Sequence, residues 1–141
     1  MEERSEEVPY VDMRKIRVGG QYTRDELAQA WGYESYHALA RGVVTPANDN
    51  KIILFVTEVK KSDREPYADR LVGRVLEWEG PTDHFAEERM VKAHSIGDEI
   101  HVFYRYWPND PFTYIGRADV ISYLRRATGP SRFKLEVEWA L

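Results

Sequence analysis

The chain has 141 residues, 43% hydrophobic and 31% charged, with 13% aromatic side chains (9 Tyr, 5 Phe, 4 Trp) and no cysteine. That length suits a single domain of roughly 100–150 residues, and the absence of thiols excludes disulfides, thiolate metal sites and a cysteine nucleophile. Its 20 Lys and Arg against 24 Asp and Glu leave −4, most of it carried by Glu2, Glu3, Glu6 and Glu7, so the near-neutral remainder excludes nucleic-acid coating by bulk charge but not a grip on a short duplex through one basic face.

Residues 1–19 read as an acidic arm ending in a short basic strand, Met13–Val18, before Gly19-Gly20. The acidic start has no apolar segment of the secretory kind. No run approaches the roughly 18–20 apolar residues of a membrane span. No membrane contact is therefore expected, and the cytoplasm is the expected address. Residues 20–141 read as one domain. Thr23 followed by Glu26 forms a capping box, and Leu27, Ala30 and Trp31 share one helical face that Gly32 closes. Ser35 caps a second short helix over 36–41, giving a helical hairpin. After Gly42 the apolar period shifts from helical to alternating. Lys51–Val59 is a strand apolar on both faces, hence central in its sheet. Leu71–Trp78 reads as one alternating strand, with Gly80-Pro81-Thr82-Asp83 turning after it. Phe85–His94 mixes a helical turn with strand character from Val91 onward. Ile100–Tyr106, Phe112–Tyr123 with a bulge at Gly116, and Phe133–Trp139 complete five or six strands. The expected fold class is α+β, an N-terminal helical hairpin packed on a curved, mostly antiparallel β pseudo-barrel.

Catalytic chemistry leaves no trace in this pattern. His37, His84, His94 and His101 show no metal-ligand spacing. The Gly pair has no following lysine, and no serine stands in a nucleophile elbow. No cofactor, no metal and no enzymatic activity are expected.

Four segments are unusual in composition: Gln21–Leu27; Ile53–Lys61 with Tyr67-Ala68-Asp69; Leu76–Thr82 (LEWEGPT); and Val102–Arg105 leading to Pro111–Arg117 (PFTYIGR). In order and spacing, from about Gly20 to Tyr123, they resemble the domain of unknown function at the C-terminus of some bacterial superfamily II helicases and restriction proteins. That domain is similar to the SRA and PUA-like pseudo-barrels. The resemblance implies a barrel that binds DNA by flipping a modified cytosine into a pocket. It also implies that any cleavage comes from a nuclease or helicase partner protein. Family members often carry Gln-Ser after the tryptophan where this chain has Glu79-Gly80, so the group that reads the base differs here.

The residues make physical sense in such a reader of double-stranded DNA with a modified base. A flipped base needs stacking rings and a few polar partners to offset its unstacking. Trp78, ending a strand before a Gly-Pro turn, can stand at a barrel mouth. Glu79 can accept from a cytosine N4 amine, with Asp69 a second acceptor and Tyr22, Tyr33 and Tyr67 the opposing rings. Each has a plainer role: Trp78 as a core plug, Glu79 as a solvated turn residue, the tyrosines as half-buried packing. Lys60, Lys61, Arg64, Arg105, Arg117, Arg125 and Arg126 are the candidate phosphate contacts, each equally a solvated charge. The reading requires a ring-lined cup wide enough for one nucleobase. Two alternatives remain open: a protein-interaction module using Tyr106 and Trp107, and an RNA- or small-ligand-binding PUA-like domain.

Overall fold

Residues 8–59 and 69–139 are described by a computed structural model. The capping box forms as the spacing requires: the Glu26 N–H donates to Thr23 Oγ1 (3.1 Å) and the Thr23 N–H to Glu26 Oε1 (2.8 Å). It starts α1 (Arg24–Trp31), which Gly32 ends at φ +83°. The expected second helix is a single 3-10 turn, Tyr36–Leu39, capped by Ser35. Four residues are too few to repay the nucleation of an α-helix. A helix and a turn replace the expected helical hairpin.

The strands are β1 (Gln21–Tyr22), β2 (Val43–Val44), β3 (Lys51–Thr57), β4 (Arg70–Val72), β5 (Val75–Glu79), β6 (Glu99–Arg105), β7 (Phe112–Leu124) and β8 (Arg132–Val137), with α2 (Glu87–Ile96) between β5 and β6. They form one mixed sheet in the order β2-β3-β6-β7-β8-β5-β4, with β1 added to β7. Only β3 and β6 run parallel, so the sheet is mostly antiparallel. Among the described residues no pairing joins the β2–β3 end to the β5–β4 end. The sheet stays open.

Three local expectations change. Leu71–Trp78 is a hairpin rather than one strand: Val72 pairs with Val75 around a two-residue turn that Gly73 enters at φ +61°, the positive φ such loops demand. The 87–96 segment is helical throughout, because Met90 and Ala93, three residues apart, drop onto the sheet. That packing outweighs the weak strand preference of Val91. Met13–Lys15 is a 3-10 turn capped by Asp12, not a strand. Around it Val11 (0% exposed) and Ile16 (8%) are buried, so from Val11 onward the segment read as an arm is packed into the body. The bulge at Gly116 is present: opposite Val102, β7 inserts one extra residue, with Gly116 at φ +93°.

Two apolar clusters lie on opposite faces of the sheet. Every second residue of β3 and β6 (Ile52, Leu54, Val56; Ile100, Val102, Tyr104) joins Ile115, Leu135, Phe133, Trp78 and α2 on one face. Ile53, Phe55, Phe103, Phe112 and Tyr114 face the other way, under Leu27, Trp31 and Leu39. Trp31 meets Phe103 edge-on at 6.1 Å. Each such fully buried side chain contributes about 1.5–3 kcal/mol of apolar burial. The core is therefore occupied on both faces, and a ligand's room must lie at the rim or between the sheet's two ends.

Candidate functional site

Such room exists where the two ends of the open sheet approach each other. A cleft of about 200 Å³ is lined by Arg41, Gly42, Val43 and Phe55 from the β2–β3 end and by Asp69, Trp78, Glu79 and Pro81 from the β4–β5 end. Its size is below the roughly 300–1,000 Å³ of drug-sized sites, on the scale of one small planar group. β5 brings Trp78 here because its alternation buries Leu76 and Trp78 on the core face. The Trp78 ring is tilted against Phe133 at 5.5 Å and is 5% exposed, so it is a wall anchored in the core rather than a free plate.

Asp69 is 8% exposed, and its Oδ1 accepts the Glu79 backbone N–H at 2.9 Å. That bond ties the start of β4 to the end of β5 and holds two carboxylates at the cleft. Glu79 lies opposite Arg132 in the β5–β8 register, with Arg132 Nε 3.9 Å from its Oε2. Arg41 spans the gap between the two ends. Its guanidinium stacks 4.3 Å above the Phe85 ring and lies 3.3 Å from Asp83 Oδ2, both in the connection from β5 to α2. That connection holds His84 and Ala86 at φ +61° and +65°, conformations that cost non-glycine residues energy and persist only where the surroundings impose them. Here the buried Glu87 (2% exposed) imposes them: it binds His84 Nδ1 at 2.6 Å and accepts from Ser131 Oγ at 3.0 Å.

Of the sequence-derived pocket residues, Trp78, Glu79 and Asp69 come together, and Tyr22 and Tyr33 do not join them. Tyr22 and Tyr33 pack against the cluster under α1, across the sheet from the Trp78 ring. The Tyr22 hydroxyl is taken by the Arg17 N–H at 2.9 Å. The strand and helix ends that carry these tyrosines lead into the α1 layer, so neither lines the cleft. Tyr67, Lys60, Lys61 and Arg64 lie outside the described residues. Arg117 is exposed and 3.9 Å from Glu99. Arg125 is held by Glu87 at 3.5 Å and Glu88 at 3.1 Å, which makes it part of the α2 anchor. The Arg126 side chain is exposed, while its N–H donates to Ser131 Oγ. Arg105 is half-buried over Phe112, bonded to Thr57 Oγ1. Arg41 and Phe55 escaped the sequence reading. Phe55 is core, packed on Phe103 and Phe112, and borders the cleft from there, while nothing near Arg41 in sequence shows that it meets Phe85.

Trp78 and Glu79 also border a shallower depression of about 380 Å³ at the strand ends, with Tyr123, Arg132 and Lys134. A groove of about 580 Å³ runs between α2 and β6–β7 with His94, Asp98, Glu99, Arg117 and Asp119 on its walls. It is larger, but Met90, Ile100 and Val120 share its walls with charges of both signs, and His94 is its one ring among the described residues. A buried polar chain lies on the α1 face of the sheet: His101 (3% exposed) bonds Tyr114 Oη at 2.7 Å and Glu99 at 2.9 Å. Burial pushes the His101 imidazole below its ordinary range, against the pull of Glu99, and raises the Tyr114 phenol. Among the described residues no three His, Asp or Glu side chains converge on a metal position, and no helix is long and apolar enough to cross a membrane. No protein-family model and no curated protein matches the chain.

Proposed function

We propose that this protein is a recognition module for double-stranded DNA carrying a modified cytosine, and that the cleft between the sheet's two ends receives the everted base. The observation that carries the reading is the meeting of Trp78, Asp69 and Glu79 with Arg41 and Phe55 across that gap. It supplies one aromatic wall in Trp78, carboxylates for an exocyclic amine, and a cation at the mouth. Stacking on an aromatic is worth about 1–3 kcal/mol per base, enough to offset much of the extrusion. Pro81 lines the cleft with Trp78, and neither Tyr22 nor Tyr33 supplies an opposing ring. The curved SRA- or PUA-like barrel belongs to this same proposal, as does a nuclease or helicase partner that acts on the marked DNA.

A C5 methyl adds only about 0.8 kcal/mol of burial, close to fourfold in affinity, so shape must contribute to discrimination. The test is fluorescence anisotropy with short duplexes, cytosine against 5-methylcytosine, at several salt concentrations. The wild type should prefer the modified duplex. Asp69→Asn, which keeps the oxygen that accepts the Glu79 N–H, and Glu79→Gln should weaken binding to both duplexes alike, because the N4 amine they would accept from is common to cytosine and 5-methylcytosine. Equal affinity of the wild type for both duplexes at every salt concentration defeats the proposal.

A second reading rests on Tyr106 and Trp107, which are 47% and 56% exposed and stack edge-to-face at 5.0 Å. A rigid, exposed aromatic pair is the composition of a protein-binding hot spot. It predicts a partner protein whose capture is lost with Trp107→Ala while duplex binding is unchanged.

A further inference from the structure

Arg89, half-buried like Arg24 and Arg105, has Asp98 Oδ2 at 2.6 Å. Among the described residues no carboxylate lies within ion-pair distance of Arg24 or Arg105. Both guanidinium centres lie over the same Phe112 ring, 5.0 and 4.2 Å from its centroid, and that of Arg24 also lies 4.6 Å from the centroid of Phe55. Their only hydrogen-bond partners among the described residues are neutral. Arg24 Nε donates to the Leu39 carbonyl (2.6 Å), and Arg105 donates to Thr57 Oγ1 (2.8 Å) and the Asp110 carbonyl (3.1 Å). Among the described residues neither makes an ion pair. Asp25 and Glu26 share the first turn of α1 with Arg24, but Glu26 is taken up by the capping box.

Burying charge without a counter-charge is costly, and two like charges about one ring add repulsion. The strain registers on Arg24, whose guanidinium is brought down to about 10, first by burial and then by the Arg105 charge. The neutral acceptors and the aromatic faces fix both forks, and the Asp110 carboxylate, which makes no ion pair with Arg105, offsets the Arg105 charge only in part. Among the described residues the Arg24 terminal nitrogens make no hydrogen bond. Planar forks held in place and short of negative charge suit the oxygens of a phosphate group.

We infer that Arg24 and Arg105, clamped on Phe55 and Phe112, form a binding site for a phosphate group, and that the group is a DNA phosphodiester beside the base-binding cleft. The identification of the carrier rests on the DNA reading above; the anion site does not. Phe55 connects the two as a residue: it borders the cleft, and its ring carries the Arg24 guanidinium on the α1 face of the sheet. A nucleotide whose base enters the cleft would thus find its own or a neighbouring phosphate at this pair.

The test has two arms. Thermal unfolding in inorganic phosphate is compared with chloride at matched ionic strength, for the wild type, Arg24→Met and Arg105→Met, with Arg24→Lys and Arg105→Lys as variants that keep charge but lose the fork. An anion that binds only the folded state raises its melting temperature. The wild type should gain in phosphate, both Met variants should lose that gain, and the Lys variants should retain part of it. No gain in the wild type, or an undiminished gain in the Met variants, overturns the site. In the second arm, the slope of log Kobs against log salt for duplex binding should fall by about one in each Met variant. Modified and unmodified duplexes should be affected equally. A phosphate effect without any duplex binding would keep the anion site and overturn the DNA reading. An unchanged slope in a duplex-binding protein would overturn the assignment of the phosphate to DNA.

Discussion

Replacing Gly116 with alanine should destabilise the fold by about 2–4 kcal/mol, a figure built from two contributions at the β7 bulge. Gly116 sits at φ +93°, and a Cβ there would lie 2.6 Å from Glu138 Oε2, 2.7 Å from Glu138 Cβ and 3.1 Å from Glu138 Cδ. Forcing an L-residue into left-handed backbone space costs roughly 1–2 kcal/mol. Glu138 cannot simply step aside. Its Oε2 accepts the Arg117 N–H at 2.6 Å, its own N–H donates to the Arg117 carbonyl, and the next residue, Trp139, donates to the Ile115 carbonyl. Displacing that carboxylate forfeits about 1 kcal/mol or more of hydrogen bonding. For a chain of this size the total corresponds to a melting-temperature drop of about 6–12 °C. Urea and thermal unfolding of Gly116→Ala would measure it. In a Glu138→Gly background the side-chain clash disappears, and the cost of Gly116→Ala should fall to the backbone part alone, about 1–2 kcal/mol. A cost below about 0.5 kcal/mol, or an identical cost in both backgrounds, would refute the reasoning.

Three further outcomes follow from the geometry. His101 is held neutral mainly by burial, with Arg117 and Lys51 opposing a charge and Glu99 favouring it. The unfolded chain therefore takes up the proton first, so this contribution to stability is complete above the ordinary value of 6.5 and declines as pH falls below it; denaturant midpoints across pH 5–8 should show the decline, and His101→Gln should flatten it. Glu87→Ala strands the Ser131 hydroxyl and releases His84 and Arg125, which should cost about 2–3 kcal/mol in urea unfolding, whereas a loss under about 0.5 kcal/mol would show that the anchor is dispensable. Trp107→Ala removes an exposed ring from a loop and should shift stability by less than about 0.5 kcal/mol, with intact far-UV dichroism as the check.

Elements whose causes are local were legible from the residues themselves. The Thr23–Glu26 box needs only three residues of spacing, and β8 alternates buried Phe133, Leu135 and Val137 with exposed Arg132, Lys134 and Glu136. The Gly73-Arg74 turn was invisible because a two-residue hairpin leaves the apolar alternation on either side uninterrupted. α2 was ambiguous because its helical state is decided by what Met90 and Ala93 touch, not by Val91. The same distinction divides the site. Trp78, Glu79 and Asp69 were found because the ring and one carboxylate flank a Gly-Pro turn, and a hydrogen bond to the other brings it alongside.

The chain's own order of residues settled the α+β composition, where α1 starts and stops, the central position of β3 and the bulged glycine, since each follows from contacts within a few residues or from a period. Which residues share the cleft was decided only when folding carried Arg41 and Val43 from one end of the sheet to Trp78 at the other. The pairing of Arg24 with Arg105 likewise arose only on folding, from a helix start and a strand end that meet over Phe112. Proximity across a folded sheet is set by twist, strand order and packing, and no interval along the chain encodes it.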